Sequence, residues 1–153
     1  MKTLFLLIFL GLGGNIFVPA HAKSKPRGGQ NYYVDAQNGD DRADGKSEKT
    51  AWKSLLRTKE LQLRAGDSLL LRRNSSFNGL LEVSAEGKAG RPVVIGAYGT
   101  GRKPCIQAPD SSLYTVLVRN SDYLTLENLE VVNTGKQRMA NRTGVKVLCE
   151  DYG

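Results

Sequence analysis

The sequence predicts an all-β chain wound as a parallel β-helix and opened by a short amino-terminal capping helix. Three observations point there. Short β-segments are broken by Gly, Asn or Asp at most intervals; no long helical pattern separates them; and one apolar stretch slips in phase. That stretch is Asn120-Ser-Asp-Tyr-Leu-Thr-Leu-Glu-Asn-Leu-Glu-Val-Val-Asn133. Leu124 and Leu126 alternate with Thr125 and Glu127, as in a strand with one buried face. A flat continuation would turn Glu130 inward and Leu129 and Val131 outward. The alternation therefore slips by one residue at Asn128, where the backbone must bend to keep both apolar faces inside. Asn is one of the few non-glycine residues that tolerates the left-handed conformation such a corner needs.

From the amino terminus, Met1 to Ala22 reads as a secretory signal peptide. Lys2 gives a short positive start, Leu4 to Leu12 an apolar run, and Ala20-His21-Ala22 a small-x-small cleavage site. Gly13-Gly14-Asn15 interrupts the run well short of the ~20 apolar residues a membrane span needs. The chain is thus expected to be secreted or periplasmic. The only histidine, His21, would leave with this leader. No imidazole would then remain for a Ser-His or Cys-His nucleophile pair or for zinc.

Lys23 to Gln30 is a basic leader without periodicity, expected to be flexible, and residues 31–153 form the β-helix domain. Tyr32, Tyr33 and Val34 read as the first strand, and Asp35 to Lys49 as a polar loop. Trp52, Leu55 and Leu56 fall at i, i+3 and i+4, the spacing of one amphipathic helix turn, with Thr50 or Ser47 as its cap. This helix would cover the open front of the solenoid. Ala65-Gly66-Asp67 is a turn signal, and Ser68 to Arg72 a strand. Further β-segments are expected at Leu80 to Val83, Pro92 to Ala97, Cys105 to Gln107, Tyr114 to Arg119, Tyr123 to Asn133 and Val145 to Glu150. An antiparallel sandwich is the main competing architecture. The last segment has no closing element after it, so the domain reads as truncated at the carboxyl end. Missing carboxyl-terminal coils or a capping partner would cover it.

The residues quoted above resemble the start of right-handed parallel β-helix proteins that act on polysaccharides, especially pectate-lyase-like secreted enzymes. Tyr32-Tyr33-Val34-Asp35 with Asn38-Gly39-Asp40-Asp41 is similar to their opening strand and loop. Ala51-Trp52-Lys53-Ser54-Leu55 is similar to their capping helix, and Ala65-Gly66-Asp67 to the turn into the first coil. Gly90-Arg91-Pro92-Val93-Val94-Ile95-Gly96-Ala97-Tyr98-Gly99-Thr100-Gly101 is similar to the junction where the regular coils begin. In the lyases of this group a Lys or Arg removes the proton beside a uronic acid carboxylate, while calcium or another basic residue neutralises that carboxylate. Calcium enters only through this resemblance, for a full-length parent. No catalytic position is matched here residue by residue.

The chain holds 22 Lys and Arg against 15 Asp and Glu. In an exported protein that excess points to an acidic polysaccharide. Nucleic acid is not expected, because no basic run interleaved with aromatics occurs. Asp35, Asp40, Asp41 and Asp44 could attract calcium, but Arg42 sits where an EF-hand needs an oxygen ligand and Ala51 where the closing Glu belongs. A turn-forming polar loop is the better reading. Gly96-Ala-Tyr-Gly99-Thr-Gly101 lacks the ending of a phosphate-cradling loop and reads as a corner. Arg119 and Lys146 are expected to face solvent and, if on one sheet, to line a basic groove. Cys105 and Cys149 are expected as two buried free thiols, with a disulfide between them as the alternative. Asn74-Ser75-Ser76 and Asn141-Arg142-Thr143 match the glycosylation sequon.

The expectation is therefore the amino-terminal part of a secreted polysaccharide lyase acting by β-elimination. A glycoside hydrolase of the same fold, a non-catalytic glycan-binding module and an inactive remnant are the alternatives.

Overall fold

A computed structural model of the chain describes residues 28–150. The signal-peptide reading of residues 1–22 and most of the flexible leader lie outside the described residues. Eleven strands occur among the described residues: β1 (Asn31–Val34), β2 (Gln62–Arg64), β3 (Ser68–Arg72), β4 (Ser76–Asn78), β5 (Leu81–Glu86), β6 (Val93–Tyr98), β7 (Cys105–Gln107), β8 (Val116–Arg119), β9 (Leu124–Leu126), β10 (Glu130–Val132) and β11 (Val145–Leu148). They form three sheets, ordered β1-β3-β6-β9, β4-β7-β10 and β2-β5-β8-β11. Every strand pair is parallel. From β3 on each coil visits the three sheets in turn, and the first coil visits the first and third, so the chain is a parallel β-solenoid and not an antiparallel sandwich.

In-register stacking of apolar side chains builds the core. Tyr32, Leu69, Ile95 and Leu126 stack on the first sheet; Phe77, Ile106 and Val131 on the second; Leu81, Val116 and Val145 on the third. The middle rungs, Leu69, Ile95, Ile106 and Val116, are fully buried. The last coil is the open end: Leu126 is 37%, Val145 44% and Val147 63% exposed.

Corners between the first and second sheets use backbone that most side chains avoid. Asn128 lies between β9 and β10 with φ 56°, as the phase slip predicts. The equivalent corner one coil earlier uses Gly99 and Gly101, at φ 79° and 107°, which identifies the glycine run as a corner. Two coils earlier Asn74 takes φ 60°. Its side chain donates to the Thr100 carbonyl and accepts from the Arg102 amide, tying one corner to the next.

The front of the solenoid departs from expectation. In place of a capping α-helix there are two 3-10 turns, Glu48–Thr50 and Leu55–Glu60, with Ser47 and Ser54 as their caps. Trp52 is not helical, because it bridges in parallel to Val34 and stacks on Tyr32 at 5.6 Å between ring centroids. In a 3-10 turn residues i and i+3 eclipse. Leu55 and Thr58 are accordingly buried together, while Leu56 is left exposed.

Cys105 and Cys149 are both free, but they are not both buried: Cys105 is half-buried and Cys149 exposed. Cys149 follows β11, where Val145 and Val147 of the same alternation are exposed as well.

Candidate functional site

A cleft among the described residues lies where the first loop meets the carboxyl ends of β3 and β6. It has a volume of about 490 Å³ and is lined by Gln37, Glu48, Lys49, Arg72, Arg73, Asn74 and Tyr98, with the Gly99-Thr100 corner. Register creates it. Val34 pairs with Leu71, so the following residue, Asp35, stands beside Arg72, and Arg72 pairs in turn with Tyr98.

Asp35 is buried and accepts hydrogen bonds from Arg72 Nη1, at 2.5 Å, and from the amides of Gln37 and Asn38. Burial opposes its charged form, but Arg72 and those amides outweigh it, leaving the carboxyl below its ordinary range. Tyr98 packs edge-on against Tyr33, 5.2 Å between centroids. Burial, reinforced by the Asp35 charge, pushes its phenol up to about 12, so the hydroxyl remains a donor throughout the neutral range. The Tyr98 Oη is shielded from solvent and has no hydrogen-bond partner among the described residues.

The residues singled out from sequence fall elsewhere or are already engaged. Asp40 is drawn down to about 2 by Arg42, which bonds both of its oxygens. Asp41 accepts from the amides of Lys53 and Ser54, and Asp44 from that of Lys46. These carboxylates hold the loop in its turns, as the polar-loop reading has it, and no metal-ligand cluster forms among the described residues. Arg119 and Lys146 do share the third sheet, where Lys146 pairs with Leu117 and Leu148 with Arg119. Their surface is no open basic groove, because Arg119 pairs with Glu150 and Lys59 with Glu82.

Glycoside hydrolysis needs two carboxyl groups roughly 5–10 Å apart across the sugar. This cleft and four others among the described residues each carry a single acidic residue in their lining: Glu48, Glu82, Glu127, Glu130 and Asp110 respectively. The Arg72, Arg73 and Tyr98 side of the main cleft was not singled out from sequence. Its one local signal is the Arg72-Arg73-Asn74 run closing a strand.

No family model matches the chain. It is 32% identical to a curated lacto-N-biosidase of Bifidobacterium longum subsp. longum across 69% of its own length, and spans 8% of that protein. Among solved structures it is similar to the native GH136 lacto-N-biosidase of Eubacterium ramulus, with a TM-score of 0.63 and 35% identity over 70% of this chain and 21% of that one. A selenomethionine derivative of the same enzyme gives a TM-score of 0.64 and 31% identity over 77% of this chain and 24% of that one. Those relatives are glycoside hydrolases. They support a β-helix of the carbohydrate-active kind, and they overturn both the polysaccharide lyase and the pectate-lyase-like assignment. The opening strand, polar loop and first turn that suggested a lyase are coil-starting devices, which β-helices of different chemistries share.

Proposed function

We propose that this chain is the amino-terminal part, residues 31–153, of an exported, right-handed β-helix protein that acts on a glycan by glycoside hydrolysis, in the manner of a lacto-N-biosidase. The observation that carries the reading is the agreement of sequence and fold with the same class of enzyme, at 32–35% identity and a TM-score of 0.63. The right hand is the one that parallel crossover connections adopt in ~98% of cases. The basic balance of the chain, +7, favours a glycan bearing anionic groups.

The test is incubation of the protein made from its complete reading frame with 4-nitrophenyl lacto-N-bioside and with larger oligosaccharides. Release of nitrophenol, and products carrying one added water by mass spectrometry, are expected. A folded protein that leaves every such substrate intact overturns the reading. A non-catalytic glycan-binding module is the second reading, since a β-helix of this kind can hold a glycan without cleaving it. Retention on a glycan gel without turnover selects it.

A further inference from the structure

Apart from glycines, Asn74, Asn120, Asn128 and Asn141 take positive φ among the described residues, and so does Tyr123, at 46°. A bulky side chain is an outlier in that region, and such strain persists only where the surroundings fix it. Tyr123 ends the corner between β8, on the third sheet, and β9, on the first. The preceding coil pins this corner. Asp122 N–H donates to the Ala85 carbonyl, Gly87 N–H to the Asp122 carbonyl and Val93 N–H to the Tyr123 carbonyl, all at 2.9 Å. Gly87 is buried against it: a Cβ there would sit 2.4 Å from the Tyr123 carbonyl oxygen and 2.8 Å from its Cβ. Burial of the ring does not offset the strain, because Tyr123 is 61% exposed. Continuing the register of β3, β6 and β9 backwards aligns Gly66, Pro92 and Tyr123 in one column. Gly66 takes φ 87° there, so glycine serves that position two coils earlier. Glycine or asparagine would meet the backbone's need at 123. What tyrosine adds is an aromatic ring open to solvent.

We propose that Tyr123 is a stacking platform for one pyranose ring of a glycan, continued by Pro92 on the neighbouring rung, ~4.8 Å away. Pro92 is exposed, as are Lys88, Arg91 and Asp122 close by in the chain. Arg91 lies beside Gly66, its Nη2 donating to the Ala65 carbonyl at 2.9 Å. A pyranose presents the matching arrangement, a flat face of C–H groups inside a rim of hydroxyls. The aromatic ring takes the C–H face, and charged side chains around it bond the rim. Area argues against a protein as the occupant. One aromatic side chain covers about 150–250 Å², against about 800 Å² per partner in a stable protein interface. The proposal rests on the glycan-acting reading above and adds a contact residue to it.

The experiment is NMR titration of the full chain with neutral lacto-N-biose and with an acidic oligogalacturonide. At least one is expected to bind, with its C–H protons shifted upfield by the tyrosine ring current. Tyr123→Phe keeps the ring face and should bind within about twofold of the parent, whereas Tyr123→Gly should bind about tenfold more weakly. Tyr123→Gly should also melt close to the parent, because glycine relieves the left-handed strain. A merely structural tyrosine would instead lose stability. Circular dichroism checks folding, and Tyr123→Asn decides the matter if the glycine variant unfolds, since asparagine holds this conformation at the other corners. No binding of either glycan, or unchanged affinity in Tyr123→Gly, overturns the platform. So does a loss of self-association in that variant with glycan affinity untouched, which would make the ring a contact between copies. Binding is read without turnover. Ring-dependent binding with no hydrolysis therefore counts against the hydrolase reading alone, and hydrolysis with no ring-dependent binding counts against the platform alone.

Discussion

Asp35 and Arg72 meet across the first two coils because the pairing of Val34 with Leu71 leaves the next residues side by side. The carboxylate is 3% exposed and also accepts the amides of Gln37 and Asn38, so it holds the first loop and the cleft wall at once. Its pKa is lowered on folding. A group of that kind contributes stability that is present above its unfolded pKa of about 3.9 and lost as pH falls through the folded value. Acid unfolding should therefore begin as pH drops below about 4, and Asp35→Asn should flatten that limb. Asp35→Ala should cost about 1–3 kcal/mol near neutral pH, since it strands buried donors. Urea midpoints measured from pH 3 to 7 check both. A variant whose pH profile parallels the parent's would show that the pair contributes little.

At Asn128, φ of 56° places the corner where a β-branched side chain is strained. Asn128→Val should lose about 1–2 kcal/mol, and Asn128→Gly should change stability by only a few tenths. Equal melting temperatures for the two variants would mean the corner relaxes freely.

That corner was legible because its cause is local: an apolar pattern changes phase at a residue able to turn. The strands β3 and β7 were legible to the residue for the same reason. β2 and β4 each hold a single apolar residue, Leu63 and Phe77, between two polar ones, so no apolar pattern marks them. The capping helix misled because i and i+3 serve α and 3-10 geometry alike. Only the bridge from Trp52 to Val34 decides between them. The cleft was invisible from sequence because Arg72 and Tyr98 become neighbours through register alone. Function ran further ahead of the residues than fold did. Coil-starting motifs report winding, and the lyase assignment attached a reaction to them.

Register also sets the cost of a cavity. Ile106 is fully buried between Phe77 and Val131 on the second sheet. Ile106→Ala should destabilise by about 2–5 kcal/mol, whereas Val131→Ala, half-buried at the open end, should cost clearly less. Thermal unfolding of the pair tests this, and an equal loss for both would argue against a core centred on the middle rungs.

Gly45 combines φ of 69° with an indole laid against it: a Cβ there would sit 2.4 Å from Trp52. Trp52 Nε1 donates to the Ala43 carbonyl at 2.9 Å, so the ring cannot retreat without losing that bond. Gly45→Ala should cost about 1–3 kcal/mol. Trp52 is the sole tryptophan, so its emission should shift to longer wavelength. Unchanged emission and stability would show that the loop yields elsewhere.

The open end carries the last prediction. Among the described residues β9, β10 and β11 each pair with a neighbouring strand on one side only, and Leu126, Val145 and Val147 are exposed along the same rim. Unpaired parallel edges beside apolar side chains favour addition of another strand, from further coils, a partner or a second copy. Val147 is 63% exposed, so Val147→Glu should alter folding stability by less than about 0.5 kcal/mol. Charge at that edge should nevertheless suppress association. Sedimentation velocity over a concentration series should show the parent chain growing in mass while the variant stays monomeric. Identical mass profiles would mean that this rim does not drive association.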